Sequence, residues 1–157
     1  MTSRSHQIQR LQPGDHALMH GLLTMFGEAF EDPATFGKQR PSAEYFDDLL
    51  GGPSFIALAA VKEDVVVGGL AAYELRKYEQ PRSEVYIYDL AVAETHRREG
   101  IATALIHEIC AIAKSRNAWV VYVQADLTDP PAIALYTKLG VREDVLHFDI
   151  PVDLGAK

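Results

Sequence analysis

Cysteine is almost missing from this chain: Cys110 is the single one in 157 residues. One thiol forms no intrachain disulfide and founds no cysteine-rich metal site. A reducing compartment, the cytoplasm, is therefore expected. No apolar run reaches the roughly 20 residues that a membrane helix needs, and Met1-Thr2-Ser3-Arg4-Ser5-His6 starts no signal-peptide core. No membrane partner is expected. Basic residues are outnumbered, 15 lysines and arginines against 22 aspartates and glutamates, for a net charge of −7. A nucleic-acid binder needs a basic face, so nucleic acid is not an expected partner either. An acidic field instead favours cationic small molecules. Internal repeats, low-complexity tracts and linkers are also absent. What is present, 48% hydrophobic and 24% charged residues, suits one globular domain over residues 1–157.

Residues 84–113 organise the rest. Residues 84–92, Glu-Val-Tyr-Ile-Tyr-Asp-Leu-Ala-Val, are rich in β-branched and aromatic side chains and predict a buried strand. Residues 93–96 break it. Apolar residues then recur at Ile101, Leu105, Ile109 and Ile112, the spacing of one helix face. Between strand and helix lies Arg97-Arg98-Glu99-Gly100. The first turn of a helix carries unpaired N–H groups and partial positive charge, so it accepts anions. Gly100 has no Cβ and Ala102 only a methyl, so a diphosphate can approach the backbone. Arg97 and Arg98 can add charge-assisted hydrogen bonds.

Around this unit the chain alternates. Residues 8–11 form a short strand candidate. Pro13-Gly14-Asp15 turns the chain, and Asp15 is expected to cap a helix running to about Phe30, with Leu18, Leu22, Met25, Phe26 and Ala29 inward. His16 and His20 lie one turn apart on it, but no third ligand accompanies them and no metal is expected. Ser42 caps a helix over 43–50 that Gly51-Gly52-Pro53 closes. Residues 55–62 and 65–75 predict a hairpin around Glu63-Asp64, in which Gly68-Gly69 marks a bulge or a close backbone approach. Residues 76–82 are a polar loop, and 119–125 a further strand. Asp129 caps a helix that begins at Pro130 and ends at Gly140. Residues 146–150 predict a last strand. Cys110, spaced from Ile106 and Ala113, is expected to be a core thiol. The order β-α-α-β-β-β-α-β-α-β describes an α/β fold, a mixed sheet with helices on both faces.

Arg97-Arg98-Glu99-Gly100-Ile101-Ala102 resembles the R/Q-x-x-G-x-G/A signature of the GNAT superfamily of N-acetyltransferases. Residues 129–141, with Ala132, Leu135, Tyr136, Lys138, Leu139 and Gly140, resemble its N-x-x-A-x-x-L-Y-x-K-x-G-F pattern, with Asp129 for the usual Asn and Val141 for the closing Phe. Residues 55–60, 70–73, 79–84 and 122–126 are similar to the aminoglycoside 3-N-acetyltransferases of subclass I, the gentamicin-modifying branch.

The resemblance implies a GNAT fold whose sheet splays between strands 4 and 5, residues 84–92 and 119–125, with acetyl-CoA in the gap as cosubstrate and no metal. It implies acetyl transfer to the 3-amino group of an aminoglycoside of the gentamicin and sisomicin type, by direct attack in a ternary complex, conferring antibiotic resistance. Cofactor contacts are expected from Leu90, Ala91 and Val92 along the pantetheine arm. Arg97, Arg98, Gly100, Ile101, Ala102 and Thr103 are expected around the diphosphate, and Asp129 and Ala132 nearby. Tyr136 matches the tyrosine that protonates the departing thiolate. For the base, Asp89 on the central strand and Asp126 after the next one are the candidates, with Glu84, earlier on the central strand, as a third. Glu28, Glu31, Glu84, Asp126 and Asp149 are the acids expected to meet substrate ammonium groups, with Glu143 and Asp144 behind them. Members are often homodimers, and the strand around His147-Phe148-Asp149 is a candidate contact. Two alternatives stay open: transfer to another polyamine or a protein amine, and a noncatalytic acyl-CoA-binding domain.

Overall fold

The computed structural model of the chain describes residues 5–153 and 155. They fall into two compact units, one ending at Gln124 and the other beginning at Ala125.

The first unit is built on one five-stranded sheet. Its strands are β1 (Gln7–Arg10), β2 (Phe55–Lys62), β3 (Val65–Arg76), β4 (Ser83–Val92) and β5 (Ala118–Val123), and they lie side by side in chain order. Neighbours are antiparallel except β4 and β5, which are parallel. A parallel pair needs a crossover, and the helix α4 (Ile101–Ser115), numbered after three earlier helices, supplies it. Those earlier helices are α1 (His16–Ala29), α2 (Pro33–Gly37) and α3 (Ala43–Gly51).

Two adjacent glycines show that helices cover both faces. Side chains alternate along a strand, so Gly68 and Gly69 of β3 point oppositely. A Cβ at Gly69 would lie 2.0 Å from Cδ1 of Leu22 on α1, and one at Gly68 would lie 2.8 Å from Cγ2 of Ile101 on α4. The pair therefore marks close approach on each side. On the α1 face the core gathers Leu22, Met25, Phe26, Phe46, Leu50, Phe55, Ala57 and Ala59. The small residues of β2 and β3 let both layers close in, and residues 55–60 are almost fully buried.

Local chemistry fixes most boundaries. Glu63 (φ 51°) and Asp64 (φ 64°) are both left-handed, as a two-residue hairpin of the I′ type demands. Ser42 Oγ accepts from the Tyr45 N–H at 3.2 Å and caps α3. Helix α2 was not anticipated. Its signal is the Asp32-Pro33 pair, because Asp32 accepts from the Thr35 N–H at 3.1 Å and Pro33 takes the first helical position. Asp15 precedes α1 but does not cap it: its Oδ2 accepts from the Gln12 N–H at 2.7 Å, stabilising the turn instead. The fully buried residues of α1 include Met19, which was not anticipated, while Leu18 and Ala29 are partly buried and pack against the same core. Cys110 is exposed, contrary to the expected core thiol. On α4 the buried stripe runs through Ile101, Leu105, Ile106, Ile109 and Ala113, and Cys110 lies just past its margin.

The second unit holds α5 (Pro130–Leu139), capped where Asp129 Oδ1 accepts from the Ala132 N–H at 3.3 Å. Pro130 opens it and Gly140 follows its end. The strand expected over 146–150 is not formed. Leu146, Phe148 and Ile150 alternate as a strand would, but no strand among the described residues pairs with them, and all three are exposed. A strand exists only with a ladder partner, so alternation alone was insufficient.

Candidate active site

The site is organised by an interruption in β4. Pairing with β5 runs from Ser83↔Ala118 to Ile87↔Val123 and stops. Residues 89–92 remain paired with β3 but have an open edge on the other side. At the same place β4 gains one residue relative to β3: Ala72 pairs with Ile87, but Ala71 pairs with Asp89, so Tyr88 is the extra one. This β-bulge bends the strand where the two strands part.

The direction of the free backbone groups follows from one hydrogen bond. The Ala93 N–H donates to Val67 O at 2.8 Å, toward β3. Backbone groups alternate in direction along an antiparallel strand, so those of Leu90 and Val92 face the open edge. An extended chain bearing amides can add there as another strand would.

Beyond Val92 a short 3₁₀ turn, Glu94–His96, leads into the loop before α4. Arg98 (φ 64°) and Gly100 (φ 78°) are both left-handed and turn the chain into the helix. The first helical bond runs from the Ala104 N–H to Gly100 O at 3.0 Å. The N–H groups of Ile101, Ala102 and Thr103 thus have no helical acceptor, and no side chain caps them. Helices α2, α3 and α5 each have a side-chain cap, so α4 presents bare donors that theirs do not. A Cβ at Gly100 would meet nothing within 4 Å. Arg97 and Arg98 are exposed, and Arg97 Nε donates to Val92 O at 3.4 Å, joining the loop to the open edge. Bare N–H groups, two guanidinium groups and an open strand edge fit the diphosphate and pantetheine of acetyl-CoA. Among the described residues no cluster of three or more His, Cys, Asp or Glu could hold a metal. His16 Nε2 lies 2.8 Å from Asp47 Oδ1, which also accepts from the Gly14 N–H, so His16 ties α1 to α3.

The acids separate by environment. Asp89 is half-buried beside the bulge, and burial pushes its carboxyl above the usual range. No hydrogen bond or ion pair reaches it from the described residues. Glu84 is on the same strand, but Trp119 Nε1 donates to it at 3.2 Å and Lys77 Nζ stands 3.4 Å away. Glu28 is exposed on α1, and Glu31, exposed with φ 53°, follows that helix. The structure therefore gathers Asp89, Leu90, Ala91, Val92 and Arg97 through Thr103 around one strand end, and leaves Glu28 and Glu31 on a separate helix end.

The remaining candidates belong to the second unit. Tyr136 lies on α5, where burial, with Asp129 adding to it, raises its phenol pKa and keeps it protonated. Asp129 is engaged as the helix cap, and Asp126 O accepts from the Asp129 N–H at 3.0 Å in the preceding loop. Asp149 accepts from His147 at 2.8 Å and is exposed.

Sequence reasoning passed over a set of aromatic residues. Phe55, Tyr73, Tyr86 and Tyr122 are register partners on four successive strands. Each was visible in its strand, but only the register places them in one row.

Comparison with known proteins agrees with this geometry. The model of the acetyltransferase (GNAT) family matches residues 20–141. A crystal structure of the aminoglycoside acetyltransferase HMB0005, from an uncultured soil metagenomic sample, is 58% identical. It superposes with a TM-score of 0.93 over 95% of this chain and 99% of that one. Meta-AAC0020, another soil-metagenome aminoglycoside acetyltransferase, seen in complex with sisomicin, is 30% identical with a TM-score of 0.86, over 94% and 97% of the two chains. An N-alpha-acetyltransferase of Sulfurisphaera tokodaii is 41% identical over 59 residues, 37% of this chain. That match spans about a third, 35%, of the curated relative's length. The five-stranded mixed sheet, its parallel β4–β5 pair and the family match over most of its length identify the chain as a member of the GNAT family of acetyltransferases.

Proposed function

We propose that this chain transfers the acetyl group of acetyl-CoA to the 3-amino group of an aminoglycoside of the gentamicin and sisomicin type. The observation that carries the reading is its 58% identity, over nearly the whole chain, to an aminoglycoside acetyltransferase. A second such enzyme, 30% identical, is known in complex with sisomicin and, separately, in complex with trehalose. The reading takes residues 1–157 as one catalytic domain in the cytoplasm, with antibiotic resistance as its consequence and a homodimer as its assembly. The family match through residue 141 supports the single domain.

Acetyl-CoA would supply a thioester that a neutral amine can attack directly. This chain's residues bind, orient and move protons. The outward backbone groups of Leu90 and Val92, with Ala91 between them, hold the amide-bearing arm. The N–H groups of Ile101, Ala102 and Thr103, the open space at Gly100, and Arg97 and Arg98 hold the diphosphate. Asp89 takes a proton from the substrate ammonium. Burial raises its pKa and so strengthens it as a base. Asp126 is the second candidate for that role. Tyr136, kept protonated by burial, donates to the departing sulfur. Asp129 orders α5 and Ala132 supplies its capped N–H. Glu28, Glu31, Glu84 and Asp149 bind further ammonium groups.

The test is CoA release with sisomicin, gentamicin, spermidine and a short peptide, with the product located by NMR. Release with sisomicin and acetylation at its 3-amino group are expected. Acetylation elsewhere on the ring system would remove the positional claim. Release with spermidine or the peptide alone would move the chain to another acceptor class, and tight CoA binding with no release would make it a noncatalytic binder. Tyr136→Phe should lower kcat about 100-fold with the KM for acetyl-CoA unchanged.

A further inference from the structure

The bulge in β4 does more than end a pairing. Before it, Tyr86 pairs with Tyr73; after it, Asp89 pairs with Ala71. Tyr73 and Ala71 share the α1 face of β3, because strand positions two apart point the same way. Both Tyr86 and Asp89 therefore face that side. Tyr88, two residues after Tyr86, does as well, and its ring meets those of Tyr73 and Tyr86 at centroid distances of 5.9 Å and 5.7 Å, edge to face. The extra residue thus sets an aromatic ring and a carboxylate next to each other on one face, which regular alternation forbids.

The ring is part of a longer row. Phe55 lies 5.3 Å from Tyr73, and Tyr86 stacks on Tyr122 at 4.7 Å with the planes 5° apart. The row crosses four strands and becomes more exposed toward the bulge, from 5% at Phe55 to 62% at Tyr88. A core row would be covered throughout. Burial raises the phenol pKa values of Tyr73 and Tyr86, and the charge of Asp89 adds to this, so both remain neutral and Asp89 lies near both.

We propose that Tyr88 is the specificity-determining platform for the acceptor: an aminosugar or aminocyclitol ring lies with its C–H face on the Tyr88 ring and its ammonium group toward Asp89. Such a ring has an apolar face and charged edges, which matches an exposed aromatic beside an unpaired acid. The negative charge of the chain complements the ligand. The platform adjoins the open edge of residues 88–92, so the acceptor amine is delivered next to the acyl donor's groove. A linear polyamine presents no ring face and gains nothing from it. This rests on the proposed aminoglycoside acceptor.

The experiment compares wild type, Tyr88→Phe, Tyr88→Leu and Tyr88→Ala with sisomicin. Tyr88→Ala should raise the sisomicin KM about tenfold with kcat and the KM for acetyl-CoA little changed. Tyr88→Phe should restore KM to within about twofold, and Tyr88→Leu should not. An unchanged KM in Tyr88→Ala, or equal rescue by Leu and Phe, would overturn the platform. If the wild type releases no CoA with sisomicin, the aminoglycoside reading fails separately. Calorimetric titration of sisomicin into wild type and Tyr88→Ala then decides the platform: binding weakened by the substitution supports it, and equal or absent binding overturns it.

Discussion

The two halves of β4 share one strand and do opposite work. Residues 83–87 are paired on both sides, and Val85 and Ile87 are buried against the α4 face. Residues 88–92 begin with the unpaired bulge residue Tyr88, are paired on one side only from Asp89 on, and carry an exposed ring, a half-buried acid and outward backbone groups. The first half satisfies its own hydrogen bonds and is closed to ligands. The second leaves donors and acceptors unspent, which a stable fold tolerates only at an edge that water or a ligand can reach.

Proline separates the halves most sharply. Val85→Pro removes a donor within a strand paired on both sides and should destabilise the chain by about 3 kcal/mol or more. Val92→Pro deletes an N–H that faces the open edge, so the melting temperature should hold while the KM for acetyl-CoA rises. Loss of folding in both, read by thermal melts, would erase the distinction.

Asp89→Asn should lower kcat about 100-fold or more without loss of stability at neutral pH. The sign follows from burial: the folded-state pKa of Asp89 is raised, so its contribution favours the folded state at low pH and is lost as pH rises through that pKa. Removing the charge therefore stabilises near neutrality. In the wild type, kcat/KM should fall as pH drops through the same raised pKa, and that limb should vanish in the variant. A wild-type profile retained in Asp89→Asn would assign the base elsewhere.

Gly100→Val combines a left-handed backbone cost of about 1–2 kcal/mol with obstruction of the bare helix start. The KM for acetyl-CoA should rise about tenfold, a 1.4 kcal/mol effect, and calorimetry of CoA binding checks it. The smallest effect belongs to a cap remote from the open edge. Ser42→Ala should cost about 1 kcal/mol, visible in denaturant melts, with both KM values unchanged.

Much of the site was legible residue by residue. The loop from Arg97 to Thr103 announced itself because its chemistry is local: a glycine, two arginines and a helix start lie within seven residues. The caps at Ser42 and Asp129 were legible for the same reason. Asp15 misled because its side chain had a competing donor at Gln12, and Cys110 because it lies one position past the buried stripe of α4. Residues 146–150 have the alternation of a strand, but alternation states which side chains share a face and not whether a partner is present.

By itself, the chain's order of residues determined the glycine-bearing loop that opens α4, the family motifs and the elements of the mixed sheet, since each depends on neighbours a few positions apart. Tertiary structure alone decided where β4 leaves β5, which residue bulges, and that Phe55, Tyr73, Tyr86, Tyr88 and Tyr122 form one row with Asp89 beside it. Those facts are matters of register between strands as many as 67 residues apart, as with Phe55 and Tyr122. A shift of one residue would turn every ring to the other face.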